Sequence, residues 1–368
     1  MRPGTTHPSR PMHRAVRASA AVALLALGVA TAQAQTAIPA LKAVALDQQA
    51  LTAPLTIAKQ GSFFVGGRDL QSDTLSTLPA YAKAGTITVD QMYTRYQIPA
   101  SAKDVSLVLI HGCCLTGKTW ESTPDGRMGW DEYFVRRGYP TYVIDQSGRG
   151  RSAVNATAMN ATKLGQATAE QLPVVFAASH ESAWVIFRFG PQYPKLFEGQ
   201  QFPVASQKAL WQQMVPDWLN AMPTPNPTVP ALSQLSKQLK KTVLMSHSQS
   251  GIYPFQTASL DTTGIAGIVS IEPGACPAAT GNLTPYTKMP VMVLFGDYVE
   301  LAPRWAPRLV ACREFVKKVN EAGGRAELLV LPEIGIRGNT HMLMQDLNSI
   351  QIADLLGSWI EQRVLTAK

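Results

Sequence analysis

Residues Val243-Leu244-Met245-Ser246-His247-Ser248-Gln249-Ser250-Gly251 run from an apolar stretch into a turn of small residues around one serine. A short continuous apolar run bounded by turn residues is what a strand buried on both faces of a parallel sheet looks like. Small residues beside Ser248 suit a tight turn whose neighbouring segments approach closely. The pattern matches a nucleophile elbow, G-x-S-x-G, with Ser246 and Ser250 in the glycine places. Such a turn lifts Ser248 Oγ out of the sheet and sets the next backbone N–H, that of Gln249, beside it. A serine-rich loop has the same composition, so the reading needs partners elsewhere in the chain.

The surrounding sequence repeats this strand style. Ser106–Ile110, Thr141–Ile144, Gly267–Ile271, Pro290–Phe295 and Ala326–Leu331 read as further buried strands, with helical stretches between them. Asp131–Arg137 reads as a helix stopped by Gly138, and Ile350–Arg363 as a closing amphipathic helix. Gly61–Gly67 and Met92–Ile98 read as strands ahead of the alternation. Strands alternating with helices predict an α/β fold on a mostly parallel sheet with helices on both faces. Residues 153–241 break the rhythm. They separate two strands that one helix would normally join, and they hold Phe176, Trp184, Phe187, Phe189, Tyr193, Phe197, Phe202, Trp211 and Trp218. We read them as a helical cap or lid inserted between core segments 35–152 and 242–368; extra core helices under the sheet are the alternative.

Composition bounds the remaining choices. The chain has 368 residues, 46% hydrophobic and 16% charged, which excludes a disordered protein. Arg2, Arg10, Arg14 and Arg17 precede an apolar run, Ala18–Ala30, and an A-x-A site at Ala32-Gln33-Ala34. This is the order of a secretory signal peptide over 1–34. The apolar run falls short of the ~20 residues a membrane span needs, and no other stretch is long and apolar enough. Without residues 1–34 the chain keeps 29 of its 33 basic residues against 25 acidic ones. There is no Lys/Arg run and no aromatic-interleaved basic stripe, so nothing points to a nucleic-acid partner. An exported, periplasmic or extracellular chain with an even number of cysteines suggests disulfides. Cys276–Cys312 is the ordinary candidate. Cys113 and Cys114 are adjacent, with Cα atoms only about 3.8 Å apart, below the usual disulfide range of about 4.4–6.8 Å. Geometry alone favours two buried thiols there.

Partners for Ser248 follow from chain order. In folds with such an elbow the catalytic groups run Ser, acid, His. Of six histidines (His7, His13, His111, His180, His247 and His341), only His341 lies beyond the elbow and its neighbour. It sits in a loop after the last strand, where a general base belongs. Glu272 and Asp297 each follow a strand, and pattern alone leaves both open as the acid. Backbone N–H groups of Gln249 and of Cys113, in the His111-Gly112-Cys113-Cys114 turn after Ser106–Ile110, are the candidate oxyanion donors. His111 then reads as a structural hydrogen-bonder.

Taken together, His111-Gly112, Gly148-Arg149-Gly150-Arg151-Ser152, the Ser248 elbow and His341 resemble the α/β-hydrolase superfamily. More narrowly, His111-Gly112-Cys113-Cys114, Ser246–Gly251, Ser270-Ile271-Glu272-Pro273-Gly274 and Gly338-Asn339-Thr340-His341-Met342 resemble a small group of secreted bacterial esterases. The resemblance covers roughly 100–155 and 240–345. It implies Glu272 as the acid with Asp297 as fallback, a Cys113–Cys114 disulfide against the geometric expectation, and carboxylic-ester hydrolysis with no metal or organic cofactor. The expected partner is a small-molecule ester, apolar or aromatic if the cap's rings line the site. Lactone, thioester, amide and carbon–carbon hydrolysis on the same residues are the rivals, with an inactive hydrolase-fold binding protein behind them.

Overall fold

Strands that read as continuous apolar runs assemble into one sheet. A computed structural model describes residues 40–218 and 226–366, so the expected signal peptide over 1–34 lies outside the described residues. The strands are β1 (Ile57–Ser72), β2 (Gly85–Pro99), β3 (Ser106–Ile110), β4 (Thr141–Asp145), β5 (Thr242–His247), β6 (Ile265–Ile271), β7 (Pro290–Phe295) and β8 (Arg325–Val330). Their order across the sheet is β1-β2-β4-β3-β5-β6-β7-β8. β1 pairs antiparallel with β2 and β2 antiparallel with β4; every other pairing is parallel. The α/β expectation holds, and β3 and β5 stand side by side in the middle of the sheet.

Side-chain alternation on β3 divides the core. Leu107 and Leu109 join Val143, Met245, Trp130, Phe134 and Trp359 on one face. Val108 and Ile110 join Ile144, Leu244, Leu232, Phe255 and Phe315 on the other. Successive strand residues point to opposite faces, so one five-residue strand feeds two cores. Helices Trp130–Arg136 and Ser349–Ile360 supply the first face. Helices Thr228–Leu239, Tyr253–Leu260 and Ala306–Glu321 supply the second.

Two segments run differently from the reading above. β1 and β2 extend well past Gly61–Gly67 and Met92–Ile98, because they form one long hairpin whose ladder runs from Ile57↔Pro99 to Ser72↔Gly85. Most of β1 faces solvent, so no apolar pattern marks its ends. Within 153–241, helices Thr157–Lys163, His180–Ile186 and Gln207–Gln213 lie in irregular chain, whereas Thr228–Leu239 packs against β1, β2 and Tyr253–Leu260 as a sheet-covering helix. Trp184, Phe187, Phe189 and Phe202 are buried and join the first core.

The expected Cys276–Cys312 disulfide is present. It ties the loop after β6 to helix Ala306–Glu321 across 36 residues. No helix among the described residues is long and apolar enough to cross a membrane.

Candidate active site

β5 ends at His247, and the chain turns at once into the short helix Ser248–Ile252. Ser248 takes φ 60°, a left-handed conformation that a non-glycine residue holds only where its surroundings enforce it. The surroundings are specific. Gly274 N–H donates to the Ser248 carbonyl at 2.7 Å. Ser250 Oγ donates to the Ile110 carbonyl at 3.1 Å, stitching the turn to β3. Serine in a glycine place thus supplies a hydrogen bond that glycine could not. Ser248 is 6% exposed and leads the short helix, so the N–H groups of its first turn lack carbonyl partners within it.

His341 and Glu272 meet across the carboxyl ends of the strands. His341 Nδ1 lies 3.1 Å from Glu272 Oε2, and both side chains are fully buried. His341 Nε2 is buried with no hydrogen-bond partner. Burial pushes the imidazole down to about 4, against the pull of Glu272. Burial pushes Glu272 up, but the Arg188 charge and the His341 hydrogen bond outweigh it and hold the carboxyl to about 2. Glu272 takes φ 50°, the same left-handed region as Ser248. Trp305 flanks the imidazole at 4.1 Å between ring centroids and Phe187 at 6.0 Å.

Asp297, the other carboxylate at a strand end, does a different job. Its Oδ2 accepts the Gly338 N–H at 2.9 Å and its own N–H donates to the Asn339 carbonyl at 2.8 Å. It therefore shapes the loop that presents His341, while Glu272 is the carboxylate on the imidazole.

The turn after β3 comes very close to the elbow. A Cβ on Gly112 would fall 2.8 Å from Ser248 Cβ and 3.0 Å from His247 Nδ1, so only glycine fits. The Gly112 carbonyl accepts from Arg149 Nη1 at 2.8 Å and lies 2.9 Å from His111 Nδ1. His111 Nε2 accepts the Gln146 N–H at 3.0 Å, so Nδ1 carries the proton and donates. In a trans peptide the C=O and the following N–H point to opposite sides. Anchoring the Gly112 carbonyl therefore fixes the direction of the Cys113 N–H. Burial, helped by Arg149, lowers His111 to about 4, which suits a neutral structural imidazole.

No family model matches the chain. A solved structure of a bacterial esterase is 60% identical and superposes with a TM-score of 0.84, over 89% of this chain and 100% of that one. The chain belongs to this esterase family of the α/β-hydrolase fold. A curated relative, the probable secreted lipase phiG of a fungal species, is 24% identical over 350 residues, 80% of this chain and 92% of that protein.

In this structure Cys113 and Cys114 carry free thiol groups, Cys114 buried and Cys113 half-buried. Adjacent Cα atoms are close for an unstrained bridge, and the neighbouring Cys114 together with burial pushes the Cys113 thiol up. The anchored Gly112 carbonyl orients the Cys113 N–H without help from a bridge.

Sequence reasoning missed two buried ion pairs of the enzyme. Arg188 sets both terminal nitrogens on Glu272, with Nη1 at 2.6 Å from Oε2. Arg149 pairs with Asp217, and Gln249 closes the triangle: Arg149 Nη2 donates to Gln249 Oε1 and Gln249 Nε2 to Asp217 Oδ2, each at 2.8 Å. Arg188 and Asp217 both come from the residues between β4 and β5. The only hint was a lone arginine in the apolar run Ala183-Trp184-Val185-Ile186-Phe187-Arg188-Phe189-Gly190.

Proposed function

We propose that the enzyme hydrolyses small carboxylic esters through an acyl-enzyme on Ser248, with His341 as general base and Glu272 as the acid that orients it. What supports this most is the buried, unpartnered Nε2 of His341, held from its other nitrogen by Glu272. In the first half, Ser248 Oγ attacks the ester carbonyl as its proton passes to His341 Nε2. The N–H groups of Cys113 and Gln249 receive the oxyanion. The tetrahedral adduct collapses, and the alcohol leaves with the proton from His341. In the second half a water gives its proton to His341 and attacks the acyl carbonyl; the acid leaves and Ser248 regains its proton. Nucleophile, base and oxyanion donors all come from the chain, so no step calls for a metal or organic cofactor.

Phe187 and Trp305 beside His341 favour an ester with an apolar or aromatic group. Export with removal of residues 1–34 is part of the same reading. It is supported by the disulfide Cys276–Cys312 and by the secreted lipase among the relatives. The reading is tested with p-nitrophenyl esters of increasing acyl length and a Ser248→Ala control. Turnover that disappears in the control is expected. Turnover retained in Ser248→Ala overturns the assignment, and fluorophosphonate labelling of Ser248 without ester turnover would redirect it to another acyl bond.

A further inference from the structure

Arg188 stands outside the strands and loops that carry Ser248, Glu272 and His341, yet it is the most extensively bonded neighbour of Glu272. Its side chain is fully buried. Nη1 and Nη2 grip the two carboxylate oxygens and Nε donates to the Asp297 carbonyl at 2.9 Å. A guanidinium in this setting is costly unless its donors are met, and a planar fork on a carboxylate meets them in one orientation only. The Gly296 N–H adds a donor to Oε1. Oε2 is left shared between Arg188 and His341, so the carboxylate cannot rotate without breaking several bonds at once. The segment that carries Arg188 is itself fastened to the site. Trp305 Nε1 donates to the Ile186 carbonyl at 2.9 Å, and the His341 N–H donates to the Phe187 carbonyl at 2.9 Å. Arg188 takes φ 56°, a third left-handed non-glycine residue within this one cluster.

We propose that Arg188 is a positioning residue for the base. It fixes the Glu272 carboxylate toward His341 Nδ1, and its charge offsets that of Glu272. The inference rests on the reading of Glu272 and His341 given above. Other groups face His341 as well: His247 of the elbow at 4.6 Å between rings, Arg304 ahead of helix Ala306–Glu321, whose charge also opposes protonation, and Asp346 on its own loop, which binds the Thr340 N–H at 2.8 Å. Arg188 alone among these groups grips the carboxylate. An uncompensated carboxylate 3.1 Å from an imidazole would draw a proton onto the pair. The ion pair with Arg188 removes that pull.

The test compares Arg188→Met with Arg188→Lys in the full chain. The acid limb of kcat/KM on a p-nitrophenyl ester is read together with the NMR titration of the His341 ring. In Arg188→Met the Glu272–His341 pair is expected to take up its first proton about one pH unit or more higher, moving limb and titration together. Arg188→Lys keeps the charge but not the fork. It is expected to leave the limb in place while kcat falls about ten-fold through lost orientation. A titration that stays put in Arg188→Met, with only thermal stability lowered, would reduce Arg188 to a structural brace. Should Arg188→Met fail to fold, an unchanged kcat in Arg188→Lys overturns the positioning role. The ring titration needs no turnover, so it tests Arg188 even if Ser248→Ala were to dismiss the esterase mechanism.

Discussion

His341 Nδ1 faces Glu272 Oε2 at 3.1 Å, with both side chains fully buried. The carboxylate accepts the Nδ1 proton, which leaves Nε2 as the free lone pair. Glu272→Gln keeps the shape but weakens that acceptance and breaks the ion pair with Arg188. The expected loss in kcat is about 10³–10⁴, on the scale seen when a triad acid becomes its amide. Asp297→Asn retains an oxygen for the Gly338 N–H and should stay within about ten-fold of the parent. The kcat values of the two variants, measured side by side, decide between the carboxylates. A crippled Asp297→Asn beside a healthy Glu272→Gln would reverse the assignment.

The pH profile follows from the buried imidazole. With His341 lowered to about 4, chiefly by burial, the imidazole is unprotonated at neutral pH and remains so on mild acidification. Glu272, held to about 2, stays ionised over the same range. The acid limb of kcat/KM is expected below about pH 5, lower than the ordinary histidine value of about 6.5 would place it. A limb near 6.5 would mean that water reaches His341 in the working enzyme.

Stability should also depend on acid, and the sign can be worked out. His111, His247 and His341 are all lowered, burial being the largest cause in each. Between pH 6.5 and about 4 the unfolded chain therefore binds protons at these positions that the folded chain refuses. Asp346, raised to about 7 by burial, and Asp131, also raised by burial, oppose this, because the folded state holds their protons. Three histidines against two carboxyls leave a net excess in the unfolded state. Stability is expected to fall as pH drops from 6.5 toward 5, by on the order of 1–3 kcal/mol per pH unit. Urea midpoints at pH 7 and pH 5 read this directly; equal midpoints would contradict it.

Gly112→Ala probes the approach of the β3 turn to the elbow. The added carbon would meet Ser248 Cβ at 2.8 Å, and both are on backbone that cannot swing aside. Displacing the turn moves the Cys113 N–H away from the developing charge. A loss of about 10²–10³ in kcat is expected, the scale for one oxyanion donor. Near-wild-type kcat in a folded Gly112→Ala would remove Cys113 from that role.

The cysteines give a simple count. Unfolded without reductant, the protein is expected to titrate two thiols, Cys113 and Cys114, with Cys276 and Cys312 silent. Opening Cys276–Cys312 by Cys312→Ala should cost about 3–4 kcal/mol, as for a loop of that size. A count of zero thiols would mean that the adjacent pair closes on itself.

What could be read from the sequence follows from how local each signal is. β3 and β7 were bounded residue for residue because strands buried on both faces are apolar throughout and stop where polarity returns. Ser248 and His341 could be named as candidates because a tight turn and chain order are one-dimensional facts. Glu272 could not be separated from Asp297 by pattern, since both follow strands; the resemblance to known esterases chose between them. Arg188, Arg149 and Asp217 escaped because a buried ion pair is written in two distant places. The apolar run around Arg188 hints that it is buried but names no partner until Glu272 is brought within reach.

Those same ion pairs bear on how the enzyme could be re-engineered. The segment between β4 and β5 invites exchange as a way to alter substrate preference, since it differs in character from the core around it. It also contributes Arg188 to Glu272 and Asp217 to Arg149. A graft that replaces it with foreign sequence strands one carboxylate and one guanidinium inside the protein. A chimera that keeps an arginine and an acid at those two points avoids this, whatever else it changes.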